Sequence, residues 1–231
     1  MLIDSPTERT TAITDLVLFI ECFILAVLIW RLGHSKDQGR SGYWTSIFLL
    51  LGFASGTGAL AHGLEMSDHL NRIMWMPLNF SLGLTISFVL GLVVLEIWGP
   101  KNSRKCLPYF IGLGILFFLF TVLIPGVFLL FVIYEGTAMV FSFGGFIYLS
   151  RKTGEFHYKL IVGVVTAVIL LSVIFGIIKA VGPQVVTIIW EFDQNSFFHV
   201  IQMMAMVVLF LGIRIQLNKS SSGKTSNLWK Y

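Results

Sequence analysis

Residues 195–217 read NSFFHVIQMMAMVVLFLGIRIQL, 23 positions with one formal charge, Arg214, near the end. A helix rises about 1.5 Å per residue, so this stretch reaches about 35 Å, enough to cross the roughly 30 Å hydrocarbon layer of a bilayer. No polar stripe divides it lengthwise, as a surface helix of a water-soluble domain would require. The stretch therefore reads as a membrane-crossing helix, with Asn195, His199 and Gln202 together on one face of its first turns through their i, i+4 and i+3 spacing.

Six further apolar runs lie upstream, near 13–31, 43–64, 73–98, 107–124, 127–149 and 159–181. The connectors RLGHSKDQGRSG, EMSDHLNR, GPKNSRK, IPGV, SRKTGEFHYK and AVGPQVVTIIWEFDQ supply the polar, Gly and Pro punctuation. Of the 231 residues 56% are apolar and 12% charged, and the mean hydropathy is +0.85. That composition excludes a water-soluble enzyme or binding module. Lipid offers no partner for open backbone amides, so the spans are expected to be helical. The predicted fold class is an all-α integral membrane protein, a seven-transmembrane helix bundle. Its expected parts are an extracytoplasmic segment 1–12, the bundle 13–217 and a disordered tail 218–231.

Basic residues set the orientation. Arg31, Lys36, Arg40, Lys101, Arg104, Lys105, Arg151, Lys152, Lys159, Arg214, Lys219, Lys224 and Lys230 fall on one side, and Arg9, Arg72 and Lys179 on the other. The side richer in Lys and Arg faces the cytoplasm, which puts the N-terminus outside, the C-terminus inside, and the protein in a plasma or bacterial inner membrane. The net charge of +4 thus belongs to topology, and no nucleic-acid partner is expected. Cys22 lies inside the first run and Cys106 in a basic connector, so no disulfide is expected between them. The opening MLIDSPTERTTAITD lacks the basic start and small-residue cleavage site of a signal peptide, and the first run is expected to be retained. No internal repeat is visible.

With that orientation His62, Asn79, Asn195 and His199 share the outer leaflet, and Asp193, Glu65, Asp68 and His69 crowd the same end. Imidazoles and carboxylates gathered at one depth suit a metal site or an acid/base site. Glu65, Asp68 and His69, in a polar connector, read rather as ordinary wetted residues. Met203, Met204 and Met206 read as packing. Glu21 and Glu135 each sit about eight residues, or about 12 Å, below the outer boundary. A carboxylate at that depth costs about 2.5 kcal/mol or more unless protonated or paired, whether with the other glutamate, with Lys179 or with a histidine. Glu96 is expected to reach the headgroups. A retinal protein is excluded because no lysine lies between 195 and 217.

The pattern resembles the CREST superfamily of seven-helix membrane hydrolases and receptors, which includes the alkaline ceramidases and adiponectin-receptor-like proteins. The segment ALAH (59–62) is similar to the family's second-helix motif, NSFFHV (195–200) to its seventh-helix H-x3-H motif, and LNFSLG (78–83) to its third-helix segment. The resemblance implies His62 and His199 as zinc ligands, and zinc-bound water attacking a lipid amide or ester. Three positions depart from it: Asn195 replaces the first histidine of H-x3-H, Gly58 the second-helix serine and Asn79 the third-helix aspartate. The candidate site is then His62, His199 and Asn195 as ligands, Asp193, Asn79 and Ser55 in catalysis, and Gln202, Glu21 and Glu135 toward a membrane lipid. Two other readings stay open, an inactive lipid-binding or receptor-like member of the same fold and a proton-coupled transporter working through Glu21 and Glu135.

Overall fold

A computed structural model describes residues 1–124, 128–181, 185–187 and 190–220. Six helices carry the chain: α1 (Pro6–Gly33), α2 (Gln38–Gly63), α3 (Asp68–Leu123), α4 (Phe128–Thr153), α5 (Phe156–Val181) and α6 (Gln194–Ser220). Helix α3 is two arms. Gly99 breaks it at φ 84° and ψ 173°, a backbone region open in practice only to glycine. The arms fold back on each other, because Ser87 Oγ donates to the Phe110 carbonyl at 2.8 Å. Gly83 and Gly114 bring the two backbones together, since a Cβ built on Gly83 would lie 2.8 Å from the Gly114 oxygen. The basic residues Lys101, Arg104 and Lys105, expected in a loop, lie on the first turns of the second arm.

The helices close into a ring in which each packs on the next and α6 returns to α1. Helices α1 and α2 meet through small residues, with Gly52 against Cys22, Gly56 against Phe19 and Gly63 against Ala12, the close approach that membrane helices use in place of a hydrophobic driving force. The core draws on every helix: Cys22 and Ile29, Phe48, Leu92 and Val93, Phe146, Ile161, and Ile213 and Leu217. The outside is apolar as well. Ile20, Ile24 and Val27 on α1, Leu116 and Phe120 on α3, and Val207 and Leu211 on α6 are exposed, which in water would be an unstable surface and in lipid is the expected one. Among the described residues α1, α2, α3 and α6 are long and apolar enough to cross a membrane. The chain is thus an all-α membrane protein by the length and composition of its helices.

Two features differ from the sequence expectation. Helix α1 starts at Pro6, not near 13, capped by Ser5, whose hydroxyl accepts from the Glu8 amide, while Leu2 bridges to Leu64. The N-terminal segment is thereby tied to the end of α2. Between α5 and α6, Val186–Thr187 pairs antiparallel with Glu191–Phe192. Of the proposed tail, 218–220 continue α6, and 221–231 lie outside the described residues.

Candidate functional site

The polar end of the ring is built on α1. Glu8, Thr11, Thr14 and Asp15 follow i, i+3, i+6, i+7 spacing and occupy one face of that helix, turned toward α2 and α6. Glu8 Oε2 lies 2.6 Å from His62 Nδ1, in the last turn of α2. Trp75 of α3 packs edge-on against the His62 ring at 5.3 Å and donates its indole N–H to Asn71. Among the described residues His62 Nε2 has no hydrogen-bond partner.

His199 is held from two sides. Its Nδ1 is 3.2 Å from Thr14 Oγ1, and its Nε2 is 3.6 Å from Asp15 Oδ1. The Thr14 hydroxyl has one hydrogen, which goes to the Thr11 carbonyl at 2.9 Å. The network therefore assigns the His199 proton to Nδ1, donating to Thr14, and leaves Nε2 bare toward the carboxyl of Asp15. Asp15 is buried at 5% exposure, and its carboxylate leans on the bare Cα of Gly58, where a Cβ would sit 2.7 Å from Oδ2. Gly58 thus makes room for an acid that α1 contributes.

The other expected residues separate into distinct roles. Asp193 caps α6: its Oδ1 accepts from the Ser196 amide at 2.9 Å and the Ser196 hydroxyl at 2.8 Å, and Thr11 donates to the same oxygen at 3.1 Å. This cap locks the start of α6 to α1 and so fixes His199 over Asp15. Ser55 is buried on α2, two turns from His62, whereas Asn79 and Gln202 are half-buried and Asn195 is exposed. Glu21 Oε1 is buried without a hydrogen-bond partner among the described residues. Glu135 is half-buried on α4. Helices α1 and α4 do not touch among the described residues, so Glu21 and Glu135 do not share a proton, and the Lys179 side chain lies outside the described residues.

Of the ligands that the resemblance implies, His62 and His199 both have Nδ1 engaged by side chains of α1, Asn195 is exposed, and among the described residues no group of three His, Cys, Asp or Glu side chains converges.

Sequence reasoning missed four residues here. Asp15 and Glu8 were legible as acids seven apart at the mouth of a span, and Thr11 and Thr14 filled the same face. It also misjudged Glu96. Far from reaching headgroups, Glu96 is 4% exposed and joins four helices at the opposite end of the ring. Arg40 Nε donates to its Oε1 at 2.7 Å, the Tyr158 hydroxyl to its Oε2 at 2.7 Å, and Gln216 Nε2 to its Oε1 at 3.0 Å. Asp37 pairs with Arg40 at 2.5 Å, and Trp44 donates to Gln216 at 3.4 Å. The Arg40 guanidinium is thereby paired with two carboxylates, Glu96 and Asp37. Partners 56 and 120 residues away leave no local signal.

Fold and site together define a helical membrane protein with imidazole–carboxylate pairs at one end of its ring. Residues 10–218 match the model of a family of unknown function, DUF6962, and the chain belongs to that family. No curated protein and no solved structure matches it.

Proposed function

We propose that the chain crosses the membrane seven times, N-terminus outside, and hydrolyses an amide or ester bond of a membrane lipid by acid–base chemistry at the His62 and His199 pairs. The observation that carries this reading is the placement of two imidazoles from α2 and α6 against one face of α1, His62 Nδ1 2.6 Å from Glu8 and His199 Nε2 3.6 Å from Asp15. An imidazole anchored at one nitrogen by a carboxylate is a more basic and better-oriented group at the other. In the proposed step His62 Nε2 takes a proton from water as that water adds to the lipid carbonyl, while Glu8 steadies the imidazolium. A proton carried by His199 or Asp15 passes to the departing nitrogen or oxygen, and the proton taken up by His62 replaces it. The carbon–heteroatom bond breaks, giving a carboxylic acid and an amine or alcohol. Asn79 and Gln202 are the half-buried polar groups that this reading assigns to the lipid, with Ser55 two turns deeper on α2. No step passes through zinc.

The two arms of α3 count as two crossings in this reading, and the Lys and Arg distribution sets the direction. The test is product release from fluorescent lipid amides and esters by the purified protein in nanodiscs, with strong chelator present. Turnover in chelator supports the metal-free route, and turnover abolished by chelator and restored by zinc contradicts it. Saturable lipid binding with no turnover of any amide or ester favours instead the receptor-like reading, for which the exposed Asn195 speaks.

A further inference from the structure

We propose that α4 carries a binding site for one anionic glycerophospholipid at the end of the bundle remote from the histidines. A groove of about 450 Å³ runs along that helix, lined by Gly144, Ile147, Tyr148, Arg151 and Lys152. Gly144 forms its open floor, since a Cβ there would meet nothing within 4 Å. Val140, one turn further, is 67% exposed, so the wall above the groove is apolar and uncovered. At the other end the chemistry changes. Lys152 folds back along the helix, its ammonium donating to the Tyr148 hydroxyl at 3.2 Å and lying 5.3 Å from the centre of that ring.

Charge complementarity selects the occupant. Neither Arg151 nor Lys152 has a carboxylate partner among the described residues, because Glu155, the acid nearest in sequence, pairs with Lys219. Two uncompensated cations beside a phenol, at the edge of an apolar trough, match a phosphodiester with an acyl chain attached. The guanidinium of Arg151 meets two phosphate oxygens, Lys152 adds a point charge, and the chain lies over Gly144 and Val140. A soluble phosphate would satisfy the cations and leave the trough empty, so a lipid is the occupant that uses both parts. The inference rests on the membrane placement of α4 alone, not on hydrolysis at the histidines.

The test is native mass spectrometry of the intact protein released from mixed micelles of phosphatidylglycerol and phosphatidylcholine of identical chains. One phosphatidylglycerol is expected to remain per protein, at least ten-fold in preference to phosphatidylcholine, and glycerol phosphate in excess should not displace it. Retention should fall at least ten-fold in the R151A/K152A double variant and in G144L, which fills the trough while leaving both charges. Equal retention of the two lipids, displacement by glycerol phosphate, retention unchanged in both variants, or a second copy of the chain bound in place of lipid would each overturn the proposal. Lipid hydrolysis measured on the same variants stays at the wild-type rate, which separates failure here from failure of the acid–base reading.

Discussion

Gly58 shows how one missing methyl group shapes the site. Glycine at this position leaves the space into which Asp15 places its carboxylate. Gly58→Ala is expected to push that carboxylate off His199 and to destabilise the protein by about 1–3 kcal/mol, as overpacking of a buried contact does. Thermal unfolding in detergent checks the stability, and a matching loss of turnover checks the geometry. His157, just ahead of the apolar run expected near 159–181, makes a pH prediction. Burial holds its imidazole at about 4, with Lys219 and Arg40 adding to the effect and Glu155 opposing it. The unfolded chain carries this group near 6.5 and so binds more protons between the two values. Stability should therefore fall as pH drops from about 6.5 toward 4, and His157→Gln should flatten that decline in melting curves. Glu155, held below the usual carboxylate range by its hydrogen bond to Lys219, adds to the loss only at still lower pH.

At the scale of elements, the Glu96 cluster decides how α2, α3, α5 and α6 sit together. Glu96→Gln leaves the buried guanidinium of Arg40 without its main counter-charge and is expected to cost about 3–5 kcal/mol. The R40M/E96L double variant, which removes both charges, should cost clearly less, and chemical unfolding monitored by the six tryptophans measures the difference. Equal losses in the two variants would mean that the charges do not act as a pair. Little of this was legible beforehand. Apolar length located α1, α2, α4, α5 and α6 well, because lipid imposes a length that composition can reveal. Glu96 escaped because proximity to a span end looks the same for a side chain that snorkels outward and one that turns inward. The turn at Gly99 was marked as punctuation, yet only the backbone shows that the helix resumes at once at Pro100. The strand pairing of Val186–Thr187 with Glu191–Phe192 had no pattern strong enough to announce it.

For the whole molecule, depth was the useful quantity. Two histidines 137 residues apart in sequence were expected at one level, and α1 carries an acid near each of them, Glu8 and Asp15. Asp15 stayed hidden because a span drawn from residue 13 treats an acid near its mouth as wetted, whereas the helix begins at Pro6 and buries it. The orientation is itself testable. In a Cys106→Ser background, cysteine placed at the exposed Asp68 should react with an impermeant thiol reagent on intact cells, and cysteine at the exposed Asn102 only after permeabilisation. The reverse pattern would invert the protein and put the histidines in the cytoplasmic leaflet.

The acid–base account meets its most direct test in turnover of a lipid amide or ester by H62Q, H199Q and D15N in nanodiscs, each with its melting temperature recorded. General acid–base catalysis contributes about 10²–10⁴-fold. H62Q and H199Q are therefore expected to lose at least a hundred-fold in kcat, and D15N nearly as much, with KM little changed and the fold intact. Variants that stay folded and turn over at the wild-type rate would contradict the claim that these imidazoles do the chemistry.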